Sequence, residues 1–321
     1  MTLIRLSLFV LAAIMSVPAF AADPYPTKPI RILVGYTAGG AVDVVARTIG
    51  QHLAGTLGQP VIVENKPGAG ANIAVRSLID SPADGYTLMM TANALASSMA
   101  LYKPPPFDAE RDVVPVAMVG RVPVVIAAGT ASEFTSLQKL VEAARAKPGT
   151  VNYASPGNGS TPHLAIELFA HAAGIKLVHV PYKGGSQAIT DVLGGQVALV
   201  AVNALEVAPH AKAGKLRALA VLGASRTATL PGVPTIAESG YPGFEASVWY
   251  GLIAPARTPQ PVVDKLHDAV QKALAAGEVQ KRISDVGGET TPGSAAQFGA
   301  MIHDERVRYE KLVREANIRL D

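Results

Sequence analysis

Apolar and polar positions alternate between two spacings along most of the chain. Short apolar runs at Ile30 to Val34, Val61 to Val63 and Thr87 to Thr91 have strand length. Because they are nearly continuous rather than alternating, they predict strands buried on both faces, as in parallel sheets. The spacing between them predicts a helix from about Val42 to Leu57, stopped by Gly58 and Pro60, and another over Ala71 to Ile79. The same rhythm restarts further on. A strand at Val151 to Ala154 precedes a helix over Pro162 to Ala172, and a strand at Leu177 to Val180 precedes a helix over Gln187 to Leu193. Val197 to Val202 and Leu216 to Val221 read as further strands.

The joins are less regular. Pro104-Pro105-Pro106 is an extended segment that no helix interior tolerates. Val113 to Ala128 is rich in β-branched residues and is broken by Gly120 and Pro123. Leu137 to Ala146 reads as a helix stopped by Pro148-Gly149, and Leu230 to Glu245 as a Pro/Gly-rich connection. Ala246 to Ala254 reads as a strand, and the end of the chain as helices across Pro261 to Ala275 and Ala295 to Ala316. Strands alternating with helices give an α/β class with mainly parallel sheets. A length of 321 residues favours two domains. The expected division is residues 22–121 plus 246–321 in the first and 122–245 in the second. Crossings near Gly120 to Val124 and Glu245 to Val248 would then form a hinge beside a cleft.

The N-terminus changes the compartment. Arg5 is followed by an apolar run from Leu6 to Val17, a helix-breaking Pro18, and Ala19-Phe20-Ala21 in small-x-small order. This is the pattern of a secretory signal, residues 1–21, cleaved after Ala21. The run is short for a ~30 Å hydrocarbon layer, so export outweighs a membrane anchor. Composition mostly excludes. With 28 Lys+Arg against 25 Asp+Glu the formal charge is +3, and no basic run marks a nucleic-acid surface. The 9 Tyr, 7 Phe and 1 Trp are scattered, which gives no base-stacking platform. Zero cysteine removes disulfides, thiolate metal sites and a cysteine nucleophile together.

Candidate chemistry gathers in three glycine loops, each between a strand and a helix. They are Thr37-Ala38-Gly39-Gly40-Ala41-Val42-Asp43, Ser155-Pro156-Gly157-Asn158-Gly159-Ser160-Thr161 and Tyr182-Lys183-Gly184-Gly185-Ser186. Open parallel sheets bind ligands at such places, where helix N-terminal amides carry partial positive charge. Ser160 and Thr161 serve as caps, as donors to a carboxylate, or as both. Each loop alone is equally a tight turn; three at equivalent positions favour a site. Nucleotide fingerprints fail, since the first loop lacks the Lys-Ser/Thr of a P-loop and Gly157-Asn158-Gly159 lacks a third glycine. His163, Glu167 and His171 share one helix face but lack an HExxH pairing, so a polar outer face with a loop-facing His163 is preferred to metal. No G-x-S-x-G elbow is present. Asp43 and Asp191 read either as helix caps or as general bases.

Long motifs occur in a fixed order. They are Tyr25-Pro26-Thr27-Lys28-Pro29-Ile30 through Gly39-Gly40, Asp43 and Arg47; Val63-Glu64-Asn65-Lys66-Pro67-Gly68-Ala69-Gly70; and Asp84-Gly85-Tyr86-Thr87-Leu88. Tyr153-Ala154-Ser155-Pro156-Gly157-Asn158-Gly159-Ser160, Pro181-Tyr182-Lys183-Gly184-Gly185 and Pro234-Thr235-Ile236-Ala237-Glu238-Ser239-Gly240 complete the series. In these the chain resembles the Bug family of extracytoplasmic solute receptors, the TctC-type substrate-binding proteins of tripartite tricarboxylate transporters. The resemblance implies a two-domain, type II-like periplasmic-binding-protein fold that closes by a hinge on a small carboxylate. No catalytic residue, cofactor or metal is expected, and the expected role is a periplasmic monomer that meets membrane transporter subunits transiently; the alternatives are a ligand sensor for a signalling partner and, behind it, a secreted enzyme acting on a carboxylate. Carried over by position, the ligand-binding residues are Thr37, Gly39, Gly40 and Asp43 from the first loop. The second loop gives Gly157, Gly159, Ser160 and Thr161 with His163, and the third gives Tyr182, Lys183, Gly184 and Gly185. Asn93 joins them from the end of a strand. Ala41-Val42 stands where the family usually has a small-hydroxyl pair, which implies a less polar or aromatic carboxylate. Val197-Ala198-Leu199 lacks the acidic residue common after the Gly-Gly turn.

Overall fold

The computed structural model describes residues 25–285 and 287–315. The expected signal segment, residues 1–21, lies outside the described residues. Strand β1 (Ile30–Val34) runs parallel to β2 (Val61–Asn65) on one side and to β3 (Thr87–Ala92) on the other. Helices α1 (Ala41–Leu57) and α2 (Asn72–Ile79) make the crossovers. After β3 come α3 (Ala94–Leu101), the short α4 (Ala109–Asp112) and β4 (Val113–Gly129). A second parallel group follows: α5 (Leu137–Ala146), β5 (Asn152–Ser155), α6 (Thr161–Ala173), β6 (Val178–Pro181), α7 (Gly185–Leu193) and β7 (Leu199–Asn203). Then α8 (Ala204–Lys212) and β8 (Leu216–Val221) precede β9 (Ser247–Pro255). The chain closes with α9 (Gln260–Ala275), α10 (Gly277–Asp285), β10 (Glu289–Thr290) and α11 (Ala295–Glu315).

One strand joins the two groups. β4 is 17 residues long and pairs with β9 along Val113 to Pro123, then with β7 and β8 along Val124 to Gly129. The strand order is therefore β2-β1-β3-β9-β4-β7-β5-β6, with β8 and β10 also on β4. Gly120 and Pro123, read from sequence as breaks, lie inside this strand. Register shifts between Pro115 and Ala117, and between Met118 and Gly120, absorb the irregularity instead.

The sheet is mixed rather than mainly parallel. Its two wings are parallel, while β4 and β9 at the middle run antiparallel to their neighbours. The sequence misleads on direction for a physical reason. β9 is buried at every position after Ser247, and β4 is buried over most of its length, because helices cover both faces. A two-sided burial produces a continuous apolar run whatever the strand direction.

Helix α3 has no signal in the sequence pattern. Ala94-Leu95-Ala96-Ser97-Ser98-Met99-Ala100-Leu101 is small or apolar on every side, and all but Met99 and Leu101 are buried, so no polar stripe marks a face. Helix α8 is masked by Pro209 inside it, and α10, absent from the expected elements, is a short charged helix that buries only Val279 and Ile283. No helix among the described residues is long and apolar enough to cross a membrane.

Candidate ligand-binding site

Three helix N-termini converge where the parallel strands of the two wings end. α1 begins after β1 with Gly40 as its cap, α6 after β5 with Ser160, and α7 after β6 with Gly184. The loops touch one another. Thr37 N–H donates to the Lys183 carbonyl at 3.3 Å, and the hydroxyls of Thr37 and Ser186 lie 3.1 Å apart. Ser97 of α3 donates to the Gly159 carbonyl at 2.8 Å. At the meeting point is a cavity of about 20 Å³ bordered by Tyr36, Gly40, Ser160, Thr161, Gly185, Asn203 and Glu206. Among the described residues no Lys or Arg lines it.

The expected site residues therefore divide. Gly40, Ser160, Thr161 and Gly185 face this cavity. Gly157, Tyr182 and Lys183 border a neighbouring cavity of about 160 Å³, together with Tyr36 and Tyr102. Gly184 packs directly on Thr37. Asn93 lies apart: its Nδ2 donates to Glu305 Oε2 at 3.0 Å and its Oδ1 accepts the Trp249 amide at 2.9 Å, tying α11 and β9 to the start of α3.

Several polar groups in the loops already have partners within them. Asp43 accepts from Gly39 N–H (3.0 Å), Arg47 Nε (3.0 Å) and Nη2 (2.9 Å), and Asn65 Nδ2 (2.9 Å). Burial raises the pKa of this carboxyl, but the donors from Arg47, Gly39 and Asn65 outweigh burial and hold it below the usual carboxylate range. Gly157 N–H donates to Ser155 Oγ (3.1 Å) and Gly159 N–H to His163 Nδ1 (3.1 Å). Gly157 has φ of 131°, and a Cβ there would stand 2.7 Å from the Tyr182 carbonyl, so only glycine fits.

Beneath the second loop lies a stack that the sequence does not announce. The His163 and His179 rings are 4.0 Å apart, and Tyr153 stacks on His179 at 5.0 Å. Ser155 Oγ sits 2.6 Å from His179 Nε2, and the Tyr153 hydroxyl donates to Glu167 Oε1 at 2.6 Å. Burial, with the adjacent His179 adding to it, lowers His163 to about 3, and burial lowers His179 to about 4. Both rings are neutral at pH 7. Glu167 is partly buried under Tyr153 rather than displayed on a polar outer face, and His171 alone of the expected stripe is exposed. Among the described residues no group of three His, Cys, Asp or Glu is placed to hold a metal.

Glu206 is the other residue that sequence reasoning misses. It is buried at the start of α8, and its Oε2 accepts from Asn203 N–H (3.2 Å) and Asn203 Nδ2 (3.0 Å). Burial raises its pKa, while amides of Asn203 and Ala41 act against the rise. The Asn203-x-x-Glu206 spacing is that of a capping box, the one sequence signal available for it. Beside the cavity Thr161 Oγ1 is buried with no hydrogen-bond partner among the described residues.

The arrangement is that of a solute receptor: helix N-termini from two α/β wings aimed at one buried point. The family model for the tripartite tricarboxylate transporter family receptor, TctC, matches residues 45–318, and the chain belongs to this family. Protein BugT of Bordetella pertussis is 37% identical over 317 residues, 98% of this chain and 97% of BugT. Among solved structures, a protein of R. palustris with adipate is 33% identical with a TM-score of 0.88, covering 92% of this chain and 99% of that one. MatC from Rhodopseudomonas palustris with bound malate is 29% identical with a TM-score of 0.86, covering 90% and 100%. These similarities carry the type of fold as well as the family.

Proposed function

We propose that this chain is the periplasmic receptor of a tripartite tricarboxylate-type transporter and captures a small carboxylated molecule between two lobes. The observation that carries this reading is the convergence of the α1, α6 and α7 N-termini on one cavity beside the buried, unpartnered Thr161 hydroxyl. First-turn amides that lack helical partners favour an anion, and the residues lining the cavity form no nucleophile–base pair poised for chemistry. Relatives solved with adipate and malate support a carboxylate as the ligand class. The lobes are residues 22–121 plus 246–321 and 122–245. A cavity of about 20 Å³ admits a single water, so ligand entry requires the lobes to part by bending near Gly120 to Val124 and Glu245 to Val248. The binding residues are those of the three loops, with Gly40, Ser160, Thr161 and Gly185 nearest the ligand. Export proceeds by cleavage after Ala21, and the protein acts as a monomer that meets its membrane subunits transiently.

Titration calorimetry against mono-, di- and aromatic carboxylates tests this reading, with small-angle scattering to follow closure. Saturable binding of at least one carboxylate, a smaller radius of gyration on binding, and recovery of the ligand unchanged are expected. Turnover of the ligand, or binding with no change in dimensions, overturns the receptor or the closure component respectively.

A further inference from the structure

Glu206 places a carboxylate of the protein's own inside a site built for carboxylates. Its Oε2 is held by both nitrogens of Asn203. Its Oε1 points the other way, toward the first and third loops. A Cβ built on Gly185 would overlap that oxygen, and one on Gly40 would stand 3.5 Å from it. The glycines of two separate loops thus leave the space that Glu206 fills. The Ala41 amide at the start of α1 already faces this carboxylate, so one of the three helix N-termini has its anion supplied from within. Among the described residues no cation lines the cavity to offset a second charge beside it.

Among the described residues Glu206 is the only charged side chain bordering the cavity, beside the hydroxyls of Tyr36, Ser160 and Thr161. Asn203 commits both its backbone N–H and its Nδ2 to Glu206 Oε2, which fixes the carboxylate beside the cavity. The Glu206 carboxylate on that wall favours hydrogen-bond donors over a second acceptor. A carboxylate at neutral pH offers none; a primary amide or an ammonium group offers at least two. Thr161 Oγ1, unpartnered at the N-terminus of α6, is available for the ligand's single carboxylate.

We infer that the site selects a monocarboxylate carrying a nitrogen donor at its other end, and discriminates against dicarboxylates, with Glu206 as the residue that decides. This rests on the carboxylate-receptor reading and narrows it. The test compares compounds of matched shape: succinate with succinamate, adipate with adipamate, and 4-aminobutanoate to separate ammonium from amide. Affinities are measured by calorimetry at neutral pH for the natural chain and for Glu206→Gln, which keeps the side-chain length and one acceptor oxygen. The natural chain is expected to bind a nitrogen-bearing member at least about tenfold more tightly than its diacid, a difference of about 1.4 kcal/mol. In Glu206→Gln that ratio should fall to about one or invert. Equal or tighter binding of the diacids by the natural chain overturns the inference while leaving the receptor reading in place, as does an unchanged ratio in a folded variant. If the variant does not fold, the ratio in the natural chain decides. Binding of none of the five compounds overturns this inference, while the receptor reading is decided separately by the wider series of mono-, di- and aromatic carboxylates.

Discussion

At the scale of single residues, the neutral histidine pair makes a prediction about acid. Folded His163 and His179 titrate near 3 and 4, whereas in the unfolded chain both titrate near about 6.5. Between about pH 6.5 and about pH 4 the unfolded state therefore binds more protons, and stability falls as pH falls. Each pH unit in that window removes about 1.4 kcal/mol per histidine, levelling off below the folded values. Glu206 and Glu167, whose pKa values are raised by burial, work in the opposite direction, so the comparison must be with a variant. Urea unfolding of the double variant His163→Asn, His179→Asn should show a shallower loss between neutral pH and about pH 4.5 than the natural chain. Equal slopes would mean the pair is not titrating as its burial requires. Gly185→Ala tests the packing on Glu206. Alanine is a better helix residue than glycine, yet its Cβ would collide with Oε1. Ligand affinity should fall by about tenfold or more, about 1.4 kcal/mol, and urea stability by about 1–3 kcal/mol from the overpacking.

At the scale of elements, the first loop is held in shape by the helix it leads into, α1. Asp43 collects four donors from Gly39, Arg47 and Asn65, binding the loop, the helix and β2 into one unit. Asp43→Asn keeps the shape but places an amide N–H₂ against those donors. A loss of about 1–3 kcal/mol is expected from a charged, buried hydrogen-bond set, and denaturant titration measures it. A loss below about 0.5 kcal/mol would show that the clamp is redundant. Much of this site is legible in the sequence. The strand–glycine–helix order at Val34 to Val42 and Ala154 to Pro162 locates two helix N-termini, because glycine and the cap Ser160 punctuate the chain. The parts that are not legible have physical causes. Asn93 reads as a loop residue at a strand end, but its amide is consumed by Glu305 and Trp249, residues far away in sequence. Glu206 sits on a helix hidden by Pro209, and its arrival beside Gly185 depends on the sheet order, which periodicity does not encode. The Tyr153–His179–His163 stack joins β5, β6 and α6 and is invisible for the same reason.

At the scale of the whole molecule, β4 has a consequence for how the protein comes apart. Its 17 residues hydrogen-bond to β9 on one side of the crossing and to β7 and β8 on the other, without a linker between. A lobe that melted alone would have to tear that strand in mid-ladder, stranding buried amides and carbonyls that have no other partners. The two wings should therefore lose structure together. Scanning calorimetry is expected to give a single endotherm whose van't Hoff and calorimetric enthalpies agree, displaced upward as one peak by a ligand. At a free ligand concentration a hundred times Kd the shift corresponds to about 2.7 kcal/mol. Two resolved peaks, or a ligand that moves only one of them, would show the wings to be thermally independent. A shared strand makes the molecule a single cooperative unit, so occupancy of a pocket touched by both wings is felt as stability by every strand in the sheet.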